Sequence, residues 1–412
     1  MSSEYLQQLL RDNFSGWISS ISNQHRILSL SLGAQNALYR LLKSEIDCTP
    51  TFDLRENYID DLQCFDTNLN QIASELLALY IGDIPVGSTI DSNSPFFTST
   101  VSIDEQSKTQ AELIKNGYCY SPISLNDQQI RLLQEGLREQ TFKTKGLYPQ
   151  VLTGAQILNL ISMDKSPPIV DGDTYWLEDM DRLAHTPLFL SLAFDPYIIS
   201  TAARYLGCPP IHVQTNAWFS FPGATSKNNL SMNGQMFHQD KEFIKFFKVF
   251  IYISDVGFQQ GPHCYVEGSH HDELHLKGVP LSDRVADKDI GKYYDKSRIK
   301  TAIGKAGTIL FGDTSCVHKG CPVINGNRAI VQLEHASSLY LSPVIPFNGF
   351  QTSSQPLSQY SEIFSKRISL NYNSPLRMKF ISYINSIGTD KKLSFYLKFK
   401  LFAVRLKKII FG

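Results

Sequence analysis

Residues 235–255 read Gln-Met-Phe-His-Gln-Asp-Lys-Glu-Phe-Ile-Lys-Phe-Phe-Lys-Val-Phe-Ile-Tyr-Ile-Ser-Asp. Two features of that stretch decide the fold. His238 and Asp240 are two apart, and on an extended chain such side chains share a face and can reach one ion. The run at 248–253 is then rich in Val, Phe, Ile and Tyr, the composition of a strand buried in a sheet. Far downstream, His318 completes a set of two imidazoles and one carboxylate. That set holds non-haem Fe(II) and leaves three coordination positions open. Ten residues beyond it, Arg328 offers a planar fork that matches a carboxylate. A dicarboxylate could chelate the metal at one end and pair with Arg328 at the other.

Working outward, strand-like runs at 211–221, 308–311 and 330–334 are separated by turn residues, as in an antiparallel sandwich or barrel. On the first run Gln214, Asn216 and Trp218 share one face and alternate with Val213, Ala217 and Phe219. That face either lines a pocket or meets water. Gln235, Lys241 and Gln332 are further polar candidates for substrate contact. Helix signals precede the strands: Ser124-Leu125-Asn126-Asp127 offers N-cap chemistry, and Asp195-Pro196 opens a helix that Gly207 closes. Residues 1–85 have helical periodicity, 86–109 read as a linker or loop, 110–345 as the β-rich domain, and 346–412 as a C-terminal extension.

Several motifs occur in a set order: Gly117-Tyr118-Cys119-Tyr120, the ligand stretch, Gly261-Pro262, Gly268-Ser269-His270, Gly312-Asp313-Thr314, His318-Lys319-Gly320 and Arg328. Together they make residues 110–340 resemble the phytanoyl-CoA dioxygenase family of Fe(II)/2-oxoglutarate oxygenases. The resemblance implies an α+β fold with a double-stranded β-helix (jelly-roll or cupin-like) core and packed helices. It implies Fe(II) on His238, Asp240 and His318, with 2-oxoglutarate at Arg328 and Gln214 and O2 as the second cosubstrate. Trp218, Asn216, Gln235 and Lys241 are then the candidates for the substrate side. The implied reaction is hydroxylation of an unactivated C–H of a small molecule, lipid-like or carrier-bound, with release of succinate and CO2. Related halogenating enzymes replace the carboxylate ligand with a small residue; here Asp240 fills that position, which favours hydroxylation. Desaturation and cyclisation stay open.

Two rival readings remain. One is a catalytically silent fold used for binding or scaffolding, against which the complete ligand set speaks. The other is a zinc hydrolase built on His271 and His275, or on Cys316, His318 and Cys321, where a further ligand at recognisable spacing is missing.

Composition sets the outer bounds. A chain of 412 residues exceeds one typical domain, and 42% hydrophobic with 19% charged residues is ordinary for a globular protein. Zero formal net charge points away from nucleic acid. The scattered cysteines 48, 64, 119, 208, 264, 316 and 321 suit reduced thiols in a cytoplasm better than a disulfide framework. Neither a secretory signal nor an apolar run of about 20 residues is visible. The last 22 residues carry seven Lys or Arg and no acid. Three readings of that tail stand: a docked helix with snorkelling lysines, peripheral contact with an anionic membrane surface, or disorder. The sequence does not specify an oligomeric state.

Overall fold

The alternation of side chains along one strand explains the architecture. In the computed structural model, which describes residues 3–47, 64–81, 96–97, 101–145, 149–167, 174–223, 227–240, 243–279 and 283–340, residues Arg328–Ala336 form a nine-residue strand. Ala329, Val331 and Leu333 face a large apolar core shared with helices. Arg328, Ile330, Gln332 and Glu334, displaced by one, face the opposite way.

The strands are β1 Tyr118–Tyr120, β2 Thr141–Thr144, β3 Val151–Thr153, β4 Thr174–Leu177, β5 Ile211–Ser220, β6 Phe246–Tyr252, β7 His263–Val266, β8 Ile299–Ala302, β9 Ile309–Gly312, β10 His318–Gly320 and β11 Arg328–Ala336. They build an eight-stranded sheet, order β1-β9-β6-β11-β5-β4-β2-β3, and a three-stranded sheet, order β10-β7-β8. All pairings are antiparallel. On one face of the large sheet, Ala217, Phe219, Val249, Ile251, Ile309 and Phe311 pack with Leu133, Phe189, Ile198 and Leu206 of the helices. On its other face Trp218, Phe250, Tyr252, Leu310 and Ile330 meet Tyr265 of the small sheet. Two facing sheets with helices outside the larger one make the expected double-stranded β-helix. Each such side chain, fully buried, contributes about 1.5–3 kcal/mol.

The helices obey their caps. Asn126 accepts from the amides of Gln128 and Gln129 at the start of Asp127–Arg138. Asp195 caps Pro196–Leu206, and Gly207 ends it at φ +78°, a conformation that favours glycine. One boundary differs from the sequence reading. Helix Ile103–Asn116 starts inside the stretch 86–109 read as linker, because Ser102 and Glu105 close a reciprocal capping box and Thr109 and Leu113 are buried. The remainder of that stretch, apart from 96–97 and 101–102, lies outside the described residues, as does the basic tail.

At the N-terminus, helices Ser3–Asn13, Ser15–Ile18, Ile21–Leu28, Leu32–Asp47 and Thr67–Ile81 share a core of Leu6, Leu10, Leu38, Leu41, Ile72 and Leu76. Ile244, just before β6, and Tyr340, beyond β11, complete that core and fasten the helical layer to the β-rich part. Among the described residues, no helix is long and apolar enough to cross a membrane.

Candidate metal centre

Backbone pairing brings the distant ligands together. His238 and His318 form an antiparallel bridge, each amide donating to the other's carbonyl at 2.9 Å. Paired residues project to the same side, so the two rings meet with centroids 4.3 Å apart. The Asp240 amide continues the pairing, donating to Thr314 O at 2.8 Å. Gln239 turns the other way, donating to Ser315 O and accepting from the Leu274 amide. The expected i, i+2 geometry is present, but the extended stretch is shorter than a full strand. Only Phe237 and His238 carry bridges, because β10 is three residues long and the chain turns just before it.

The rings are oriented by what their far nitrogens do. Nδ1 of His238 lies 2.8 Å from Met236 O and Nδ1 of His318 lies 3.0 Å from Cys316 O. A carbonyl only accepts, so each Nδ1 carries the proton and each Nε2 presents a lone pair. Those two nitrogens lie 3.5 and 3.7 Å from the Asp240 carboxylate, and the three ligand atoms fall within 4.8 Å of one another. Burial, then the like charge of His318, holds His238 well below the ordinary imidazole range; burial lowers His318 too. Both rings are therefore neutral donors. This donor set and its orientation fit a divalent iron.

The carboxylate is governed by a lysine. Burial alone would raise Asp240, but the charge and hydrogen bond of Lys248 outweigh it and hold the group far below the usual carboxylate range. Lys248 Nζ donates to Asp240 Oδ2 at 2.9 Å and lies 3.7 Å from Glu334 Oε1. Lys248 is 5% exposed, Glu334 is fully buried and Asp240 is half-buried, so one ammonium serves a buried and a half-buried carboxylate. The signal for it was present in the sequence: a lone Lys inside the apolar run of β6.

Arg328 is buried and projects from the inner face of β11, donating to Ser220 Oγ at 3.2 Å and to Gly261 O. A Cβ on Gly320 would sit 3.4 Å from its guanidinium, so that glycine makes room for it. Gln214 accepts from Gln332 at 3.0 Å across the β5–β11 pair. Asn216 and Trp218 follow on the same face, Asn216 accepting from the Ala217 amide. Gln235 is buried, and Lys241 lies outside the described residues. The sequence reading missed His263, which pairs with Gly320 and stacks on Phe250 at 4.6 Å. Burial, then the charge of Arg328, keeps it neutral; its Nδ1 has no hydrogen-bond partner among the described residues.

Among the described residues, the zinc alternative on Cys316, His318 and Cys321 is not assembled. His270 and His271 both bond Ile114 O, at 2.9 and 2.7 Å, and so fasten their loop to helix Ile103–Asn116; the His275 side chain lies outside those described. The Cys316 thiol sits between Val266 O and Ser269 Oγ, and burial pushes it up to about 12. Cys321 faces Cys264 at 3.1 Å. Among the described residues, His238, Asp240 and His318 are the one group of three whose ligand atoms converge.

A family model described as phytanoyl-CoA dioxygenase matches residues 115–329. No curated protein matches the chain. Among solved structures, the chain is similar to EvdO2 from Micromonospora carbonacea var. aurantiaca complexed with 2-oxoglutarate, at 13% identity and TM-score 0.39, covering 58% of this chain and 92% of that one. It is also similar to EctD from S. alaskensis with bound Fe, at 16% identity and TM-score 0.39, covering 59% and 82%. A third is the epimerase SnoN in complex with Fe3+, alpha ketoglutarate and nogalamycin RO, at 15% identity and TM-score 0.37, covering 57% and 84%.

Proposed function

The chain belongs to the phytanoyl-CoA dioxygenase family, and on that premise we propose that it hydroxylates an unactivated C–H of a small molecule at His238, Asp240 and His318. Its cofactor is Fe(II), and its cosubstrates are 2-oxoglutarate and O2. Bound iron would activate O2, the oxidant, with one oxygen atom going to the substrate and the other to 2-oxoglutarate as it becomes succinate and CO2.

The chain's own part is orientation and exclusion of water. Met236 O and Cys316 O fix the imidazole tautomers. Lys248 holds Oδ2 of Asp240 and leaves Oδ1 on the side of the His238 Nε2. Arg328, steadied by Ser220 and Gly261, is positioned to take the distal carboxylate of 2-oxoglutarate as a bidentate pair. Gln214, with Gln332 behind it, offers a polar contact to the same molecule. Trp218, Phe250, Tyr252 and Ile330 make the surrounding interior apolar, which strengthens each of these interactions.

The observation that carries the reading is the pair of Nδ1–carbonyl bonds, which turn both Nε2 lone pairs toward Asp240. The test is anaerobic loading with Fe(II), then a screen for 2-oxoglutarate consumption with free acids, thioesters and glycans as candidates. About one iron per chain and substrate-stimulated succinate are expected. Stoichiometric iron with no consumption of 2-oxoglutarate would favour the silent binding protein instead.

A further inference from the structure

A second cationic site stands beside the ligands. Phe237 and Val285 form an antiparallel bridge, with N–O distances of 3.0 and 2.8 Å. That register sets Arg284 opposite His238, and cross-strand partners present their side chains on one face. Arg284 therefore looks toward the metal centre. Its Nη1 is shielded from solvent and has no hydrogen-bond partner among the described residues. A buried donor left so is costly, and more so when charged. The carboxylate near it, Asp240, is already engaged by Lys248.

Lys145, at the end of β2, supplies the second charge. Its ammonium lies 3.8 Å from the centre of the Trp176 ring and 3.2 Å from Met232 O. The chain from Met232 onward joins this lysine to the ligands. Asn233 accepts from the Trp176 indole at 3.1 Å, and a Cβ on Gly234 would sit 3.5 Å from the His238 ring. Trp176 packs against Trp218 of the inner face, centroids 5.1 Å apart. Lys145 is open to solvent, yet crowding by protein and then the like charge of Arg284 lower its ammonium to about 8. An anion reaching both Lys145 and Arg284 would supply the partner that Arg284 Nη1 lacks among the described residues.

We propose that Arg284 and Lys145 bind an anionic group of the organic substrate, a carboxylate or a phosphate, while the carbon to be oxidised lies along Trp176 and Trp218 next to the metal. This rests on the iron reading of His238, Asp240 and His318, and it narrows the substrate to an acidic small molecule.

Calorimetric titration of the full chain, saturated with Fe(II) and 2-oxoglutarate under anaerobic conditions, tests it with inorganic phosphate and hexanoate as separate probes. Wild type should bind at least one of them, and Arg284→Met and Lys145→Met should each weaken that binding about tenfold or more. Arg284→Lys, which keeps the charge but loses the fork, should retain affinity to within roughly threefold and so exclude a folding defect as the cause. Tighter phosphate binding identifies a phosphate ester, and tighter hexanoate binding a free acid. Failure of wild type to bind either, equal affinity in Arg284→Met, or competition between probe and 2-oxoglutarate for one site overturns the proposal. The same titration on metal-free protein separates the two readings: anion binding without any iron uptake would sink the iron reading and leave the cation pair standing.

Discussion

The N-terminal helical layer and the interior between the two sheets are both buried, and they are built on opposite terms. In the layer Leu38, Leu41, Ile72 and Leu76 are fully buried and apolar, while the ion pair Arg26–Glu75 sits at its half-exposed edge. Between the sheets Lys248, Glu334 and Arg328 are taken out of water, and Asp240 is half-buried beside them. Buried ion pairs are often no more stabilising than apolar residues of the same volume. The layer therefore only adds stability, and the interior between the sheets gives some up for a charged, oriented site.

That contrast can be broken most directly at a ligand. His318→Ala is expected to lose iron affinity by about 100-fold or more and to abolish 2-oxoglutarate turnover, with circular dichroism unchanged. Metal analysis and succinate formation check it; full iron occupancy in the variant would count against the site. Next in size is Lys248→Met, which leaves the buried Glu334 and the half-buried Asp240 without this ammonium. The metal-free variant should be about 3–5 kcal/mol less stable, and Fe(II) should raise its urea midpoint more than it raises that of wild type. An equal metal-induced shift would show that the lysine is not the counter-charge.

Leu76→Ala probes the other region. A loss of about 2–5 kcal/mol in urea unfolding is expected, with turnover per folded molecule unaltered. Arg328→Lys replaces a fork with a point charge, and about a tenfold rise in the 2-oxoglutarate concentration for half-maximal succinate formation is expected. The smallest effect belongs to Arg26→Ala, under about 1 kcal/mol. Burial alone would raise Glu75, but its bonds and charge interaction with Arg26 prevail and lower it. The pair therefore stabilises the fold above the unfolded pKa of Glu75 and is lost as pH falls through the folded one. The difference between Arg26→Ala and wild type should accordingly shrink below about pH 4.

The long periodic elements were legible because their signals are local. Asn126, Asp195 and Gly207 mark helix ends at the positions observed, and the apolar run at 248–253 lies within β6 apart from its last residue. The ligands were legible because i, i+2 spacing survives even where only a bridge forms. The rest depends on non-local pairing. Strands β2, β4, β7, β8 and β10 have three or four residues each, too few for a period to show. Arg284 carries no motif at all, and its place beside His238 follows only from the register of Phe237 with Val285. Lys248 and His263 look like interruptions in the sequence and become intelligible once the inner face they share is known.

The bridge between His238 and His318 makes the metal centre a gauge of how the sheets were assembled. A slip of one residue between those two segments would turn one imidazole to the far side of its strand. Chains that pair their strands wrongly during folding would then carry every ligand in sequence and still fail to capture iron. Iron retention through gel filtration could thus sort correctly zipped molecules from near-native ones that spectroscopy of secondary structure would not tell apart.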